Sequence, residues 1–119
     1  MSLKRLLSAL AQDLPVLFAY IGWATEYIGT EDVYGYGHLK SNPRDNAEAR
    51  AFGKHNDGFF RCGIGPGAVD YARLHVVFVA LEPSTQVMKI VGVYAAATIE
   101  MDGSWAFAAT RNAALIAAR

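Results

Sequence analysis

Two apolar runs separated by a short polar turn constrain this chain more than any other feature in it. Residues 74–81 read Leu-His-Val-Val-Phe-Val-Ala-Leu, and residues 87–99 read Val-Met-Lys-Ile-Val-Gly-Val-Tyr-Ala-Ala-Ala-Thr-Ile. β-Branched and aromatic residues crowd both runs, which suits a pleated, packed surface. Between them stands Glu82-Pro-Ser-Thr-Gln, of hairpin length and turn composition. The pattern predicts two adjacent antiparallel strands. Neither run alternates apolar with polar residues, so both are expected to be covered on both faces. Gly92 falls mid-strand, where a glycine marks a place too close to its neighbours for a side chain.

Other segments arrange themselves around this hairpin. Residues 16–22, Val-Leu-Phe-Ala-Tyr-Ile-Gly, are bounded by Pro15 and Gly22 and read as a buried strand. Asp102-Gly103 is a second turn signal, followed by a strand over 105–110. Residues 112–118 are Ala-rich with no breaker, which predicts a closing helix. At the other end Leu3, Leu6, Leu7 and Leu10 recur at helical spacing, which predicts an amphipathic opening helix rather than an export signal. The long stretch 23–67 differs in kind. It holds eight of the eleven glycines, interleaved with Tyr27, Tyr34, Tyr36, His38, His55, Phe59 and Phe60. Long connections of this sort inside a small domain are usually functional. Within it Asn42 is placed to cap a helix with Pro43 at its first position, running over 44–52 to a stop at Gly53. A short strand over 59–64 is expected to end at Gly65-Pro66-Gly67. The fold class this order predicts is α/β in the mixed α+β sense: a small, curved, mainly antiparallel sheet or barrel with two or three helices.

The 119 residues fit one domain, and 53% of them are hydrophobic, enough for a real core. Eleven basic side chains balance eleven acidic ones, which excludes a binder driven by bulk positive charge but not a local basic face. A single cysteine, Cys62, excludes an internal disulfide framework, a multi-cysteine zinc site and an iron–sulfur cluster. No uncharged apolar run reaches the roughly 18–20 residues of a membrane span. A cytoplasmic protein without membrane partners is the expectation.

Catalytic constellations are thin. His38, His55 and Cys62 match no standard metal-ligand spacing. Cys62 beside Arg61 could pair with His55 or His38 as a nucleophile, but a lone cysteine in an apolar strand is more often an inert core residue. His75 opens an apolar strand and reads as structural. Gly63-Ile-Gly65-Pro66-Gly67 lacks the Lys-Ser/Thr and the helix of a phosphate loop, and Pro66 removes an amide donor. No cofactor motif stands out. What remains is an aromatic and polar constellation: Trp23, Tyr27, Tyr34 and Tyr36 supply flat surfaces on which bases can stack. His38, Lys40, Asn42, Arg44 and Arg61 follow with hydrogen-bonding and phosphate-contacting groups. The same aromatics equally suit a core beneath a long loop.

Two segments carry a family resemblance. Val76-Val-Phe-Val-Ala, a short turn, and Ile90-Val-Gly-Val-Tyr-Ala-Ala-Ala-Thr-Ile resemble the paired strands of PUA-like domains of the EVE and YTH type. Phe18-Ala-Tyr-Ile-Gly-Trp-Ala-Thr-Glu-Tyr-Ile-Gly, then Gly37-His38 and Asp57-Gly58, is similar to the opening of bacterial reader domains at the front of multidomain proteins, including modification-dependent restriction systems. The resemblance covers roughly residues 16–100. Where that pattern commonly has Gly-Trp-Tyr, this chain has Gly92-Val93-Tyr94. The resemblance implies a PUA-like barrel that binds DNA or RNA and holds a base, often modified and flipped, in an aromatic pocket. Trp23 would be the first wall, with Tyr27, Tyr34 and Tyr36 next. His38 and Asn42 would read a base edge, and Lys40, Arg44 and Arg61 would contact phosphates. No intrinsic catalysis is expected, and an effector domain, fused or associated, is implied. Two readings stand beside it: a small Cys/His or metal-dependent enzyme, and a protein-interaction domain that dimerises through its apolar strands.

Overall fold

The computed structural model describes residues 3–29, 32–35, 50–66 and 72–116. Helix α1 spans Leu3–Leu10, and six strands follow: β1 Val16–Tyr20, β2 Phe60–Pro66, β3 Arg73–Glu82, β4 Val87–Asp102, β5 Trp105–Thr110 and β6 Ala113–Leu115. The predicted hairpin is the centre of the sheet. β3 and β4 pair antiparallel from Arg73↔Thr98 to Glu82↔Val87, and the sheet order is β1-β3-β4-β5-β2, with β6 also on β4. Four of the five strand pairings are antiparallel, and β1 runs parallel to β3.

This architecture corrects several expectations. The sheet is not closed into a barrel: β1 and β2 are its two ends and do not pair with each other. Among the described residues there is one helix, α1. The closing helix expected over 112–118 is strand β6 at Ala113–Leu115, which extends β5 along β4. Helix propensity, even alanine's, is a weak determinant, and the open edge of β4 at Gly92–Tyr94 supplies hydrogen-bond partners that outweigh a short, marginal helix. Of the helix expected over 44–52, residues 44–49 and the cap Asn42 lie outside the described residues. Its end is a tight turn in which the Gly53 amide donates to Arg50 O at 3.0 Å. β2 does not stop before Gly65-Pro66 but runs through to Pro66, with a register shift between Gly63 and Gly65. The end of an edge strand is where a proline is tolerated, and the bulge bends the edge.

The strands are also not covered on both faces. In β3 the side chains of Leu74, Val76, Phe78 and Ala80 are buried, whereas Val77, Val79 and Leu81 are half-buried. Their partners Met88 and Ile90 on β4 are exposed, as are Val16, Phe18 and Tyr20 on β1. One face of the sheet is thus a core wall and the other an open apolar surface. A similar shift affects α1, where Leu7 is 56% exposed and the buried residue is Ala9.

The inner face is covered by the described parts of the chain between β1 and β2, which lie at opposite edges, so the connection between them must cross the sheet. Ile21, Ala24, Tyr27, Val33, Ala51 and Phe52 are all buried there. Phe52 is the hub, packing edge-on against Tyr27, Phe78 and Tyr94 with centroids 5.9, 5.8 and 5.6 Å away. Such pairs add to the burial of ring area, the dominant stabilising contribution. The Tyr94 hydroxyl donates to the Ala51 carbonyl, and burial pushes this phenol well above its ordinary range. Gly92 lies directly beneath Phe52: a β-carbon there would run into the Phe52 ring and sit 2.9 Å from Ala114 O. The glycine is explained by this close approach, as its mid-strand position predicts.

His75 is a structural tie. Its Nδ1 accepts the Ala96 amide at 3.0 Å, so the ring proton sits on Nε2 and is donated to Gln12 O at 2.9 Å. The ring therefore joins the turn after α1 to β4 where β4 kinks, at Ala96 with φ +50°. Thr110 completes the kink by donating to Ala95 O at 2.7 Å and accepting from the Asn112 amide.

Candidate functional site

The segment after β1 turns over the sheet edge and is held by a small two-bond bridge. The Trp23 amide donates to Tyr34 O at 2.7 Å and the Tyr34 amide donates to Trp23 O at 2.8 Å. This bridge sets the Tyr34 side chain, which is 62% exposed, beside Tyr20 at the end of β1. With Gly35 and the hairpin residues Leu81, Pro83 and Gln86, the two tyrosines line an open cleft of about 180 Å³. For scale, roughly 150 Å³ is enough to hold a benzene ring. The cleft combines two aromatic rings, an aliphatic floor and one side-chain amide, which suits a flat heterocycle better than an extended polar chain.

Of the aromatic residues singled out from sequence, Tyr34 alone among the described ones lines this cleft. Trp23 is half-buried and packs against the core, supporting Tyr34 through its backbone. Tyr27 is fully buried: its hydroxyl donates to Gly22 O at 2.6 Å and accepts the Ala24 amide at 3.0 Å. It offers no face for stacking, and these two bonds and its packing hold it at φ +57°, an unfavourable value for a bulky residue. Tyr36, His38, Lys40, Asn42 and Arg44 lie outside the described residues. Tyr20 was hidden in an apparently buried strand, and only the edge position of β1 exposes it.

Arg61 does not present a free charge. Its Nη2 bonds Asp57 Oδ2 at 2.8 Å and its Nε bonds Glu100 Oε1 at 2.9 Å. Asp57 also accepts the Phe59 amide at 3.0 Å, closing the Asp57-Gly58 turn that precedes β2. Arg61 and Arg111 lie over the Phe59 ring, 5.2 and 4.6 Å from its centroid. The Arg61 side chain expected to contact phosphate is matched here by two carboxylates, which hold its guanidinium charge more firmly than usual. The Arg61 hydrogen bond, then the Phe59 amide, lowers the Asp57 carboxyl from 3.8 to about 2. A carboxyl lowered on folding stabilises the fold above its unfolded value and loses that contribution as pH falls through the folded value. Denaturation midpoints of wild-type protein should accordingly fall between about pH 4 and pH 2 more steeply than those of Asp57→Asn. Parallel acid profiles for the two proteins would show that the pair contributes nothing.

The enzyme reading loses its nucleophile. Cys62 is completely buried in the core, so its thiol meets no substrate. Among the described residues no group of three or more His, Cys, Asp or Glu side chains is placed to hold a metal ion. Nor is any described helix long and apolar enough to cross a membrane. Another exposed aromatic, Trp105 on β5, lies across Gly63, where a β-carbon would come within 2.6 Å of its Nε1. No protein-family model, curated protein or solved structure matches this chain.

Proposed function

We propose that this chain is a nucleic-acid-recognition module of PUA-like kind, which holds a single base, modified or not, between Tyr34 and Tyr20. The observation that carries this reading is the exposed Tyr34 ring, set by its backbone bridge against a second exposed tyrosine across an open cleft. Stacking on such rings accepts any base, because every base has a π-face, and contributes about 1–3 kcal/mol per base. The cationic side chains Lys40 and Arg44 would supply phosphate contacts, giving affinity that falls with salt. Tyr34→Ala should therefore weaken binding to single-stranded DNA or RNA by about 1–3 kcal/mol while leaving thermal stability nearly unchanged, since the ring is mostly outside the core. Fluorescence anisotropy and thermal denaturation on the same preparations check both halves. Unchanged affinity in the folded variant, or no binding of any modified or unmodified strand by the wild type, would reject the reading.

One observation favours a second reading, a protein-interaction module. Phe18 is 65% exposed, and it shares an open sheet face with Val77, Val79, Met88 and Ile90. Contiguous exposed apolar surface of this kind commonly marks a protein contact. Self-association abolished by Phe18→Asp, in protein that binds no nucleic acid, is the result that would favour it.

A further inference from the structure

The Tyr20–Tyr34 cleft has one side-chain amide on its wall, and the hairpin that carries it is unusually well fixed. Gln86 closes the turn between β3 and β4 at φ +57°, a left-handed conformation in which glycine or asparagine is the relaxed choice. Its backbone amide donates to Glu82 O at 2.8 Å, and its side-chain Nε2 donates to Pro83 O at 2.9 Å. The rest of the turn is tied as well: the Glu82 carboxylate accepts the Thr85 hydroxyl at 2.6 Å and pairs with Lys89 at 3.2 Å. A long, polar, flexible side chain at a position that suits glycine is thus held in one orientation against the cleft. A left-handed non-glycine residue is strained, and such strain is tolerated where the surroundings over-determine it, commonly at binding sites. Nε2 gives one of its two N–H donors to Pro83, which fixes the amide plane, and the amide oxygen Oε1 accepts no hydrogen bond among the described residues, so it is the unengaged acceptor of the cleft.

We infer that Gln86 is the specificity-determining residue of the cleft, and that it selects a planar heterocycle carrying an N–H donor on its ring edge. This rests on the base-binding reading above, with the tyrosines supplying affinity and Gln86 supplying discrimination. Adenine, with its exocyclic amine, fits. Unsubstituted purine presents the same flat ring without that donor, so Oε1 keeps only water as its partner and the hydrogen bond is forgone.

The test compares an oligo-deoxyadenosine strand with a strand of equal length built from unsubstituted purine deoxynucleosides, against wild type and Gln86→Gly. Glycine relaxes the backbone at this position and removes the amide, so the variant should fold and melt at or above the wild-type temperature. Wild type should favour the adenine strand by roughly fivefold, one neutral hydrogen bond's worth, and Gln86→Gly should bind both strands equally. Equal binding of the two strands by wild type, or discrimination that survives in Gln86→Gly, would overturn the role of Gln86 while leaving base stacking intact. If wild type binds neither strand, the base-binding reading fails and this inference with it.

Discussion

Tyr27→Ala is expected to destabilise the fold by about 3–5 kcal/mol, the range for deleting a fully buried aromatic side chain. The substitution would empty the space beside Phe52 and strand two partners, since the Tyr27 hydroxyl bonds both Gly22 O and the Ala24 amide. Tyr27→Phe keeps the ring and removes only the hydroxyl, so it should cost about 1–3 kcal/mol through the unsatisfied groups it leaves. Urea denaturation of the three proteins separates these contributions. Base binding by Tyr27→Phe, measured where it remains folded, should match wild type. A near-neutral Tyr27→Ala would mean that the glycine-rich stretch does not form the second layer of the core.

Gly92→Ala should cost about 1–3 kcal/mol, the usual penalty for overpacking a filled core. The upper end of that range is expected because one of the two obstructions is a backbone oxygen, Ala114 O, which cannot rotate away. The other is Phe52, whose displacement would disturb its contacts with Tyr27, Phe78 and Tyr94 together. Gly92→Ala/Phe52→Leu should recover part of the loss, since the shorter side chain vacates the space the new methyl needs. If the double variant is less stable than the sum of the single substitutions, the steric explanation for Gly92 is wrong.

The contrast between these two positions shows what was legible in the sequence. Gly92 was readable because a glycine inside a β-branched run has few explanations, and the paired runs around it left little choice of fold. The turn at Asp102-Gly103 and strand β5 were legible for the same local reasons. Tyr27 was not readable, because a tyrosine among glycines serves equally as an exposed ring or as the core of a second layer. Only the placement of β1 and β2 at opposite edges of the sheet decides that the chain must cross its inner face. β1 itself misled in the opposite direction. Val-Leu-Phe-Ala-Tyr is apolar at every position, so its composition hides that Val16, Phe18 and Tyr20 face outward. The C-terminal alanines were misread because helix propensity is local, whereas the vacant edge of β4 that recruits them is set by tertiary structure. Of the site, Tyr34 was legible, while Tyr20 and Gln86 reach the cleft from a strand edge and a turn that the sequence does not bring together.

Photo-crosslinking tests the central claim most directly. A single-stranded oligonucleotide carrying 5-iodouracil, irradiated in complex with the protein, joins the halogenated base to an aromatic side chain stacked on it, and peptide mass spectrometry locates the bond. The account predicts attachment at Tyr34 or Tyr20, lost when either ring is replaced by alanine. Attachment at Trp105 or at Phe59, on the β2–β5 side of the sheet, would contradict it.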